Sequence, residues 1–209
     1  MNRDFSLWRI FTERKIMLKN ALVVVVLTGV MASAQAVTIA THSDPAMNGS
    51  TPLFFVNPST SVSGSWTGTG LTLQVPVAGL TFNDVKMDMA LVTAASPGVL
   101  NSGTVKFYTS SIANPIFQVD FNSASIFAPF GFGGSFVSGQ NVTFSGSAVA
   151  GYVFDNEQFA FSFANPVSFG NDGVSYTASF TSSAEVVPEP ATMAVIGLGL
   201  AAFARRKRN

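Results

Sequence analysis

Alternation of apolar and polar side chains limits how this chain can fold more than any other feature. Side chains of a β-strand point alternately to opposite faces, so a period of two residues predicts a strand with one buried face. In segment 82–91 one face would carry Asn83, Val85, Met87, Met89 and Leu91. Five further segments alternate in the same way, with apolar positions at Leu71, Leu73 and Val75; Val105 and Phe107; Phe117, Val119 and Phe121; Phe159, Phe161 and Phe163; and Val174, Tyr176, Ala178 and Phe180.

Clusters of turn-forming residues separate these strands. They lie at 101–103, 114–115, 139–141, 155–157 and 170–173, where Gly, Pro, Asn and Asp favour reversal of the backbone. No sustained helical period occurs between 37 and 186, and no internal repeat suggests a solenoid or propeller. The pattern therefore predicts an all-β domain, an antiparallel β-sandwich of jelly-roll or immunoglobulin-like type, with about eight short strands.

Charge is divided unevenly along the chain. The basic residues lie mostly at the two ends, and the domain 37–186 keeps only Lys86 and Lys106. Against these stand eight carboxylates, which gives the domain a net charge of about −6: Asp44, Asp84, Asp88, Asp120, Asp155, Glu157, Asp172 and Glu185. Because no basic stripe could neutralise phosphates, a nucleic-acid partner is not expected.

The N-terminal segment has the order of a secretory signal. Lys19 precedes an uncharged run at 21–30, and small residues follow at 32–36. A signal peptidase requires small residues around its cleavage site, and both Ala34 and Ala36 satisfy this requirement. We expect a signal helix within residues 1–36 that is removed after Ala36, with Met17 as a candidate for the true start. The alternatives are an uncleaved anchor and a buried core helix.

The C-terminal segment 187–209 combines three features in a fixed order. Pro188, Glu189 and Pro190 break any helix or strand, and residues 191–204 are uncharged. The basic cluster Arg205, Arg206, Lys207 and Arg208 then closes the chain. A helix of the uncharged run would be about 21 Å long, shorter than a hydrocarbon core of about 30 Å, and basic side chains extend such a helix to the headgroups.

This segment resembles the PEP-CTERM sorting signal. The resemblance implies a short transmembrane helix in the precursor and processing by an exosortase, a membrane-embedded enzyme of Gram-negative bacteria that also make exopolysaccharide. Signal peptidase and exosortase would be partners during processing, and the membrane would hold the tail only until cleavage. The alternatives are a plain tail anchor and a last core helix.

Candidate catalytic and metal-binding residues are few. His42 is the only histidine, so no Ser/His/Asp triad is expected, and we predict a surface imidazole. Asp84 and Asp88 flank Lys86, which indicates either paired carboxylates for glycoside cleavage or a solvated strand face. Oxygen ligands at 155–157 and 171–172 could serve calcium, but ordinary turns are favoured. We predict no metal and no cofactor.

An unusual run of aromatic and glycine residues covers 127–136. Phe130 and Phe132 in this run, together with Trp66, are candidate glycan contacts because aromatic rings stack on sugars. The favoured interpretation is that the run plugs one end of the sandwich from a long connection.

These features predict an exported, non-enzymatic protein that is secreted or held at the cell surface. We expect it to have a structural or adhesive role in an exopolysaccharide or biofilm matrix. The alternatives are a carbohydrate-binding module and, with less support, a hydrolase of a matrix polymer.

Overall fold

The computed structural model describes residues 35–45, 53–57, 60–136 and 138–187, together with Gly197 and Gly199. Residues 35–187 belong to one structural unit. The predicted signal helix lies outside the described residues, as does most of the predicted transmembrane helix.

The described residues of the domain form fourteen strands. The first seven are β1 (Ala36–His42), β2 (Phe54–Asn57), β3 (Ser61–Trp66), β4 (Leu73–Val75), β5 (Leu80–Phe82), β6 (Lys86–Ser96) and β7 (Val99–Leu100). The others are β8 (Gly103–Tyr108), β9 (Phe117–Phe121), β10 (Ala124–Phe127), β11 (Gly131–Ser135), β12 (Thr143–Ser145), β13 (Val153–Ser168) and β14 (Val174–Val187). Short 3-10 turns occupy Pro76–Ala78, Ser147–Val149 and Gly170–Asp172.

Eight of these strands close into a ring, so the prediction of a sandwich is wrong. The ring order is β6, β3, β2, β14, β13, β11, β10 and β7, with β7 paired back to β6 and every pair antiparallel. The domain is therefore a closed antiparallel barrel with additional strands. Two arms extend from it: β8, β9 and β12 from β6, and β1, β4 and β5 from β14.

The long strands β6 and β14 explain why the sheet closes. The start of β6 pairs with β8 and its end pairs with β7, while β3 pairs along its other edge. Register shifts interrupt both the β3–β6 and the β6–β7 pairing. Bulges of this kind bend a strand and increase its twist, which lets one strand belong to the ring and to an arm.

The predicted alternation identifies half of the buried apolar residues. Leu71, Leu73, Val75, Phe117 and Phe161 are among the buried residues that the pattern predicted. The pattern fails at the end of segment 82–91: Met89 is buried, but Leu91 is 66% exposed and Val92 is buried in its place. The register shift between β3 and β6 lies next to this change.

The ring has two chemically different ends. All four tight turns between its neighbouring strands, at 57–61, 96–99, 127–131 and 168–174, lie at one end, because antiparallel pairing brings them there. We call this the distal end. β1 begins opposite the C-terminal part of β14, where Ala36 pairs with Glu185. The domain therefore begins and ends together at the opposite, terminal end.

Candidate functional site

The terminal end of the domain is where both predicted processing segments begin. β1 starts at Ala36, the residue after which we predict signal cleavage, and Ala34 lies outside the described residues. β14 ends at Val187, directly before Pro188. The remaining predicted sorting residues, Glu189, Pro190 and the basic cluster 205–208, also lie outside the described residues. Since proline cannot donate a backbone hydrogen bond to a sheet, Pro188 explains why β14 ends here.

The three candidate glycan contacts do not form one surface. Trp66 and Phe132 are 1% and 4% exposed, whereas Phe130 is 76% exposed. Trp66 ends β3 with its ring in the core, and Phe132 stacks on Phe161 with ring centroids 4.9 Å apart. Trp66 and Phe132 were therefore wrongly predicted as surface residues, and only Phe130 could meet a ligand without unfolding.

The predicted long connection within 127–136 is instead a tight hairpin. β10 and β11 pair from Ser125–Gly133 to Phe127–Gly131 and leave only residues 128–130 between them. Its two faces differ, because Phe132 is buried and Phe127 is 73% exposed.

The candidate carboxylate pair is divided between a turn and a strand. Asp84 lies in the turn before β6, has a φ of 51°, and accepts a hydrogen bond of 2.9 Å from the Gly70 backbone N–H. Asp88 lies within β6, opposite Lys106 of β8. The two carboxylates therefore do not share one strand face.

The candidate calcium ligands belong to two different local structures. Residues 155–157 form a bulge within β13, where pairing with β14 shifts between Asp155 and Gln158 and Asn156 has a φ of 55°. Residues 171–172 lie in the β13–β14 turn, as predicted. Within the described part of the chain, no group of three or more His, Cys, Asp or Glu residues is placed to hold a metal ion.

The decisive similarity lies at the end of the last strand. The model of the PEP-CTERM protein-sorting motif matches residues 186–208, from the last two residues of β14 to the basic cluster. The chain carries a PEP-CTERM sorting motif. It is exported and sorted to the cell surface or extracellular space by an exosortase-type system.

Similarity to other proteins gives no further guide to the role of the rest of the chain. No curated protein and no solved structure matches the chain. Among the residues that the structure describes, none belongs to a helix with both the length and the hydrophobicity needed to span a membrane.

His42 lies in the core of the β domain. The prediction that His42 is a surface residue is therefore wrong. It is 2% exposed, and its ring centroid lies 5.7 Å from those of Phe107 and Phe180. The backbone oxygen of Ser43, an acceptor only, lies 2.9 Å from Nδ1, so Nδ1 carries the proton. Nε2 is then an unprotonated acceptor, and no described residue forms a hydrogen bond with it.

Burial lowers the pKa of His42 below its ordinary value of 6.5, although the Ser43 hydrogen bond and the Asp44 charge act in the opposite direction. The unfolded chain therefore binds a proton at a higher pH than the folded chain does. Folding stability that is present above pH 6.5 is lost as the pH falls through this value towards the folded-state pKa. The loss can reach about 1.4 kcal/mol per pH unit.

We expect the urea midpoint of the secreted protein to decrease as the pH is lowered from 7.5 to 5.5. In His42→Phe this fall should be largely absent, because phenylalanine preserves the aromatic packing and carries no titrating nitrogen. Equal losses in the two proteins would contradict the assignment of acid sensitivity to His42.

A polar network that the sequence analysis missed joins β1 to the second bulge of β13. Asn165, with a φ of 50°, donates from Nδ2 to Thr177 Oγ1 at 2.7 Å and to Asp44 Oδ2 at 3.2 Å. Thr177 Oγ1 donates to Asp44 Oδ2 at 2.9 Å. The signal was the pair Asn165-Pro166, because asparagine adopts positive φ readily and proline disrupts regular pairing. The network ties Asp44, two residues after β1, to β13 and β14.

Proposed function

We propose that the sorted domain is a non-enzymatic structural or adhesive component of the extracellular matrix or cell surface. The observation that carries this proposal is the sorting motif at 186–208, which directly continues the last strand of a folded domain. An exosortase would remove the tail, and the domain would then be released or attached through its terminal end. Exopolysaccharide is the expected surrounding polymer.

The positions of the candidate catalytic residues support a non-enzymatic role. His42 is enclosed by aromatic rings and could not reach a substrate as a general base. Asp84 and Asp88 are separated between a turn and a strand. The domain instead offers a large sheet surface, which suits packing in a matrix better than it suits catalysis.

Carbohydrate binding is the second candidate function, and the exposure of Phe130 is the observation in its favour. Phe127 lies in the same hairpin and is also exposed, so two rings could stack on sugars. This candidate no longer includes Trp66 and Phe132, because both are core residues.

Deletion of the gene in its own host should weaken cell aggregation or matrix cohesion severalfold. Expression of the wild-type chain, and equally of the Asp84→Asn, Asp88→Asn double variant, should restore it, since neither carboxylate has a catalytic role in this proposal. A chain ending at Val187 should be secreted but should restore cohesion poorly, because it lacks the sorting signal. Unchanged cohesion after deletion would contradict the proposed role, and failure of the double variant alone would favour a hydrolase.

A further inference from the structure

The distal end carries an exposed aromatic pair on a well-fixed hairpin. Phe127 and Phe130 are 73% and 76% exposed, the two most exposed of the large apolar side chains in the described residues. The Phe163 backbone N–H donates to the Phe130 carbonyl at 2.9 Å, and the Ile126 N–H donates to the Gly98 carbonyl at 2.9 Å. Neighbouring strands on both sides therefore hold the hairpin. A partner would meet two rings whose backbone is already ordered, which lowers the entropic cost of binding.

The distal end is also almost without charge. Its four turns, at 57–61, 96–99, 127–131 and 168–174, contain one charged residue, Asp172. The other seven carboxylates and both lysines of the domain lie outside these turns, and of these Asp44 lies closest to the 168–174 turn, through its hydrogen bonds with Asn165 and Thr177. Most charged groups of the domain therefore lie away from its distal end, where the exposed rings of Phe127 and Phe130 lie.

We propose that the distal end binds the distal end of a second copy of this chain, with Phe127 and Phe130 of each copy packed against those of the other. This inference rests on the adhesive role proposed above and names its partner. The contact is isologous, since the same patch serves on both copies.

Charge distribution favours this orientation over any side-by-side contact. Two acidic bodies placed side by side would repel each other, whereas two distal ends meet without opposing charge clusters. β14 has 14 residues and runs from the distal to the terminal end, a distance of about 45 Å at about 3.3 Å per residue. This exceeds the Debye length of about 8 Å at physiological ionic strength, so Glu185 and Asp155 near one terminal end are screened from those of the other copy.

A lipid surface and a glycan, the two other partners that could bind exposed aromatic rings, fit the distal end less well. A lipid surface is held stably when apolar side chains are combined with basic residues, and the four distal turns contain no lysine or arginine. A glycan requires polar groups that orient its hydroxyls beside the stacking ring. Residues 127–131 contain no polar side chain, and the polar side chains of the distal end belong to the other three turns. A second copy matches the patch in both apolar character and charge.

The position of the patch suits contact between opposed surfaces. The sorting motif leaves from the terminal end, so a chain attached there would direct Phe127 and Phe130 away from its attachment. Two hairpin tips bury little area, so a single contact is expected to be weak, with a Kd of about 10 µM to 1 mM. Many copies on one surface would increase the avidity by multivalency.

Sedimentation equilibrium of the secreted, processed protein tests the contact directly. The wild-type protein should show a monomer–dimer equilibrium between about 10 µM and 1 mM. The double variant Phe127→Ser, Phe130→Ser should dimerise at least about tenfold more weakly, because exposed aromatic anchors dominate small interfaces. Leu91→Ser is the matched control, since Leu91 is 66% exposed but lies outside the distal turns, and it should dimerise like the wild type.

Three results would overturn the proposal: a wild-type protein that is monomeric throughout this range, a dimer that survives in the double variant, or equal weakening by Leu91→Ser. Zwitterionic vesicles and a neutral glycan array provide the competing outcomes. Binding to either that requires Phe127 and Phe130, with a monomeric protein, would assign the patch to that partner instead. A dimer that is lost in the double variant, in a host whose cohesion does not depend on the gene, would retain this inference and reject the adhesive function.

Discussion

Alanine in place of Gly131 is expected to lower the free energy of unfolding by about 3 kcal/mol or more. Gly131 starts β11 with a φ of 142°, a conformation that side chains rarely adopt. A Cβ atom here would also collide with the backbone oxygen of Phe161 on β13. Because a backbone oxygen cannot rotate away as a side chain can, β11 and β13 would have to separate at the distal end of the ring.

Gly139→Ala is the matched control for this prediction. Gly139 also has a positive φ, 73°, but apart from its chain neighbours no described residue has an atom within 4 Å of the position that its Cβ would take. Its alanine variant should therefore show only the conformational cost, about 1 kcal/mol. Urea unfolding of the two variants and the wild-type protein measures the difference. Equal losses at the two positions would contradict the close approach of β11 to β13.

Local patterning predicted the strands well but not how they join. Alternation of period two identifies the buried faces of β4, β8 and β9 correctly, because burial of one face imposes this period on any paired strand. The pairings that close the ring join β2 to β14 and β3 to β6. These pairings depend on contacts distant in sequence and leave no local pattern, so a sandwich and a barrel have the same alternation.

A bulge, not a turn, lies at residues 155–157. Residues 155–157 were predicted to separate two strands, yet β13 continues through them as one strand of 16 residues. Asparagine serves both structures, because its short polar side chain tolerates the positive φ found in turns and in bulges. Composition alone therefore could not distinguish a bulge at Asn156 from a reversal of the chain.

The candidate site residues differ in how far the sequence could have placed them. Val62, Gly64 and Trp66 alternate with serines along β3, and this pattern would have predicted a buried Trp66 had it been weighed against the aromatic character of the residue. His42 was predicted at the surface because a lone imidazole is usually solvated. Its burial depends on pairing with Phe180 of β14, which is 138 residues away and invisible to local analysis.

The position of Phe127 and Phe130 at the distal end also could not be predicted from local sequence. The run 127–136 was noticed from its composition, but its location opposite the two processed ends follows only from the order of strands in the ring. The sorting motif, in contrast, was predicted from the sequence, because its signal is a linear order of motif, apolar run and basic cluster that requires no tertiary structure.

Mass spectrometry of the protein recovered from outside its own host tests the central claim most directly. Export and sorting predict a mature chain that starts near Val37, the second residue of β1, and ends near Pro188 to Pro190, directly after β14. Removal of both end segments should be complete, so neither the signal segment nor the basic cluster 205–208 should be detected in this material. A secreted chain that still ends in Asn209 would contradict the account.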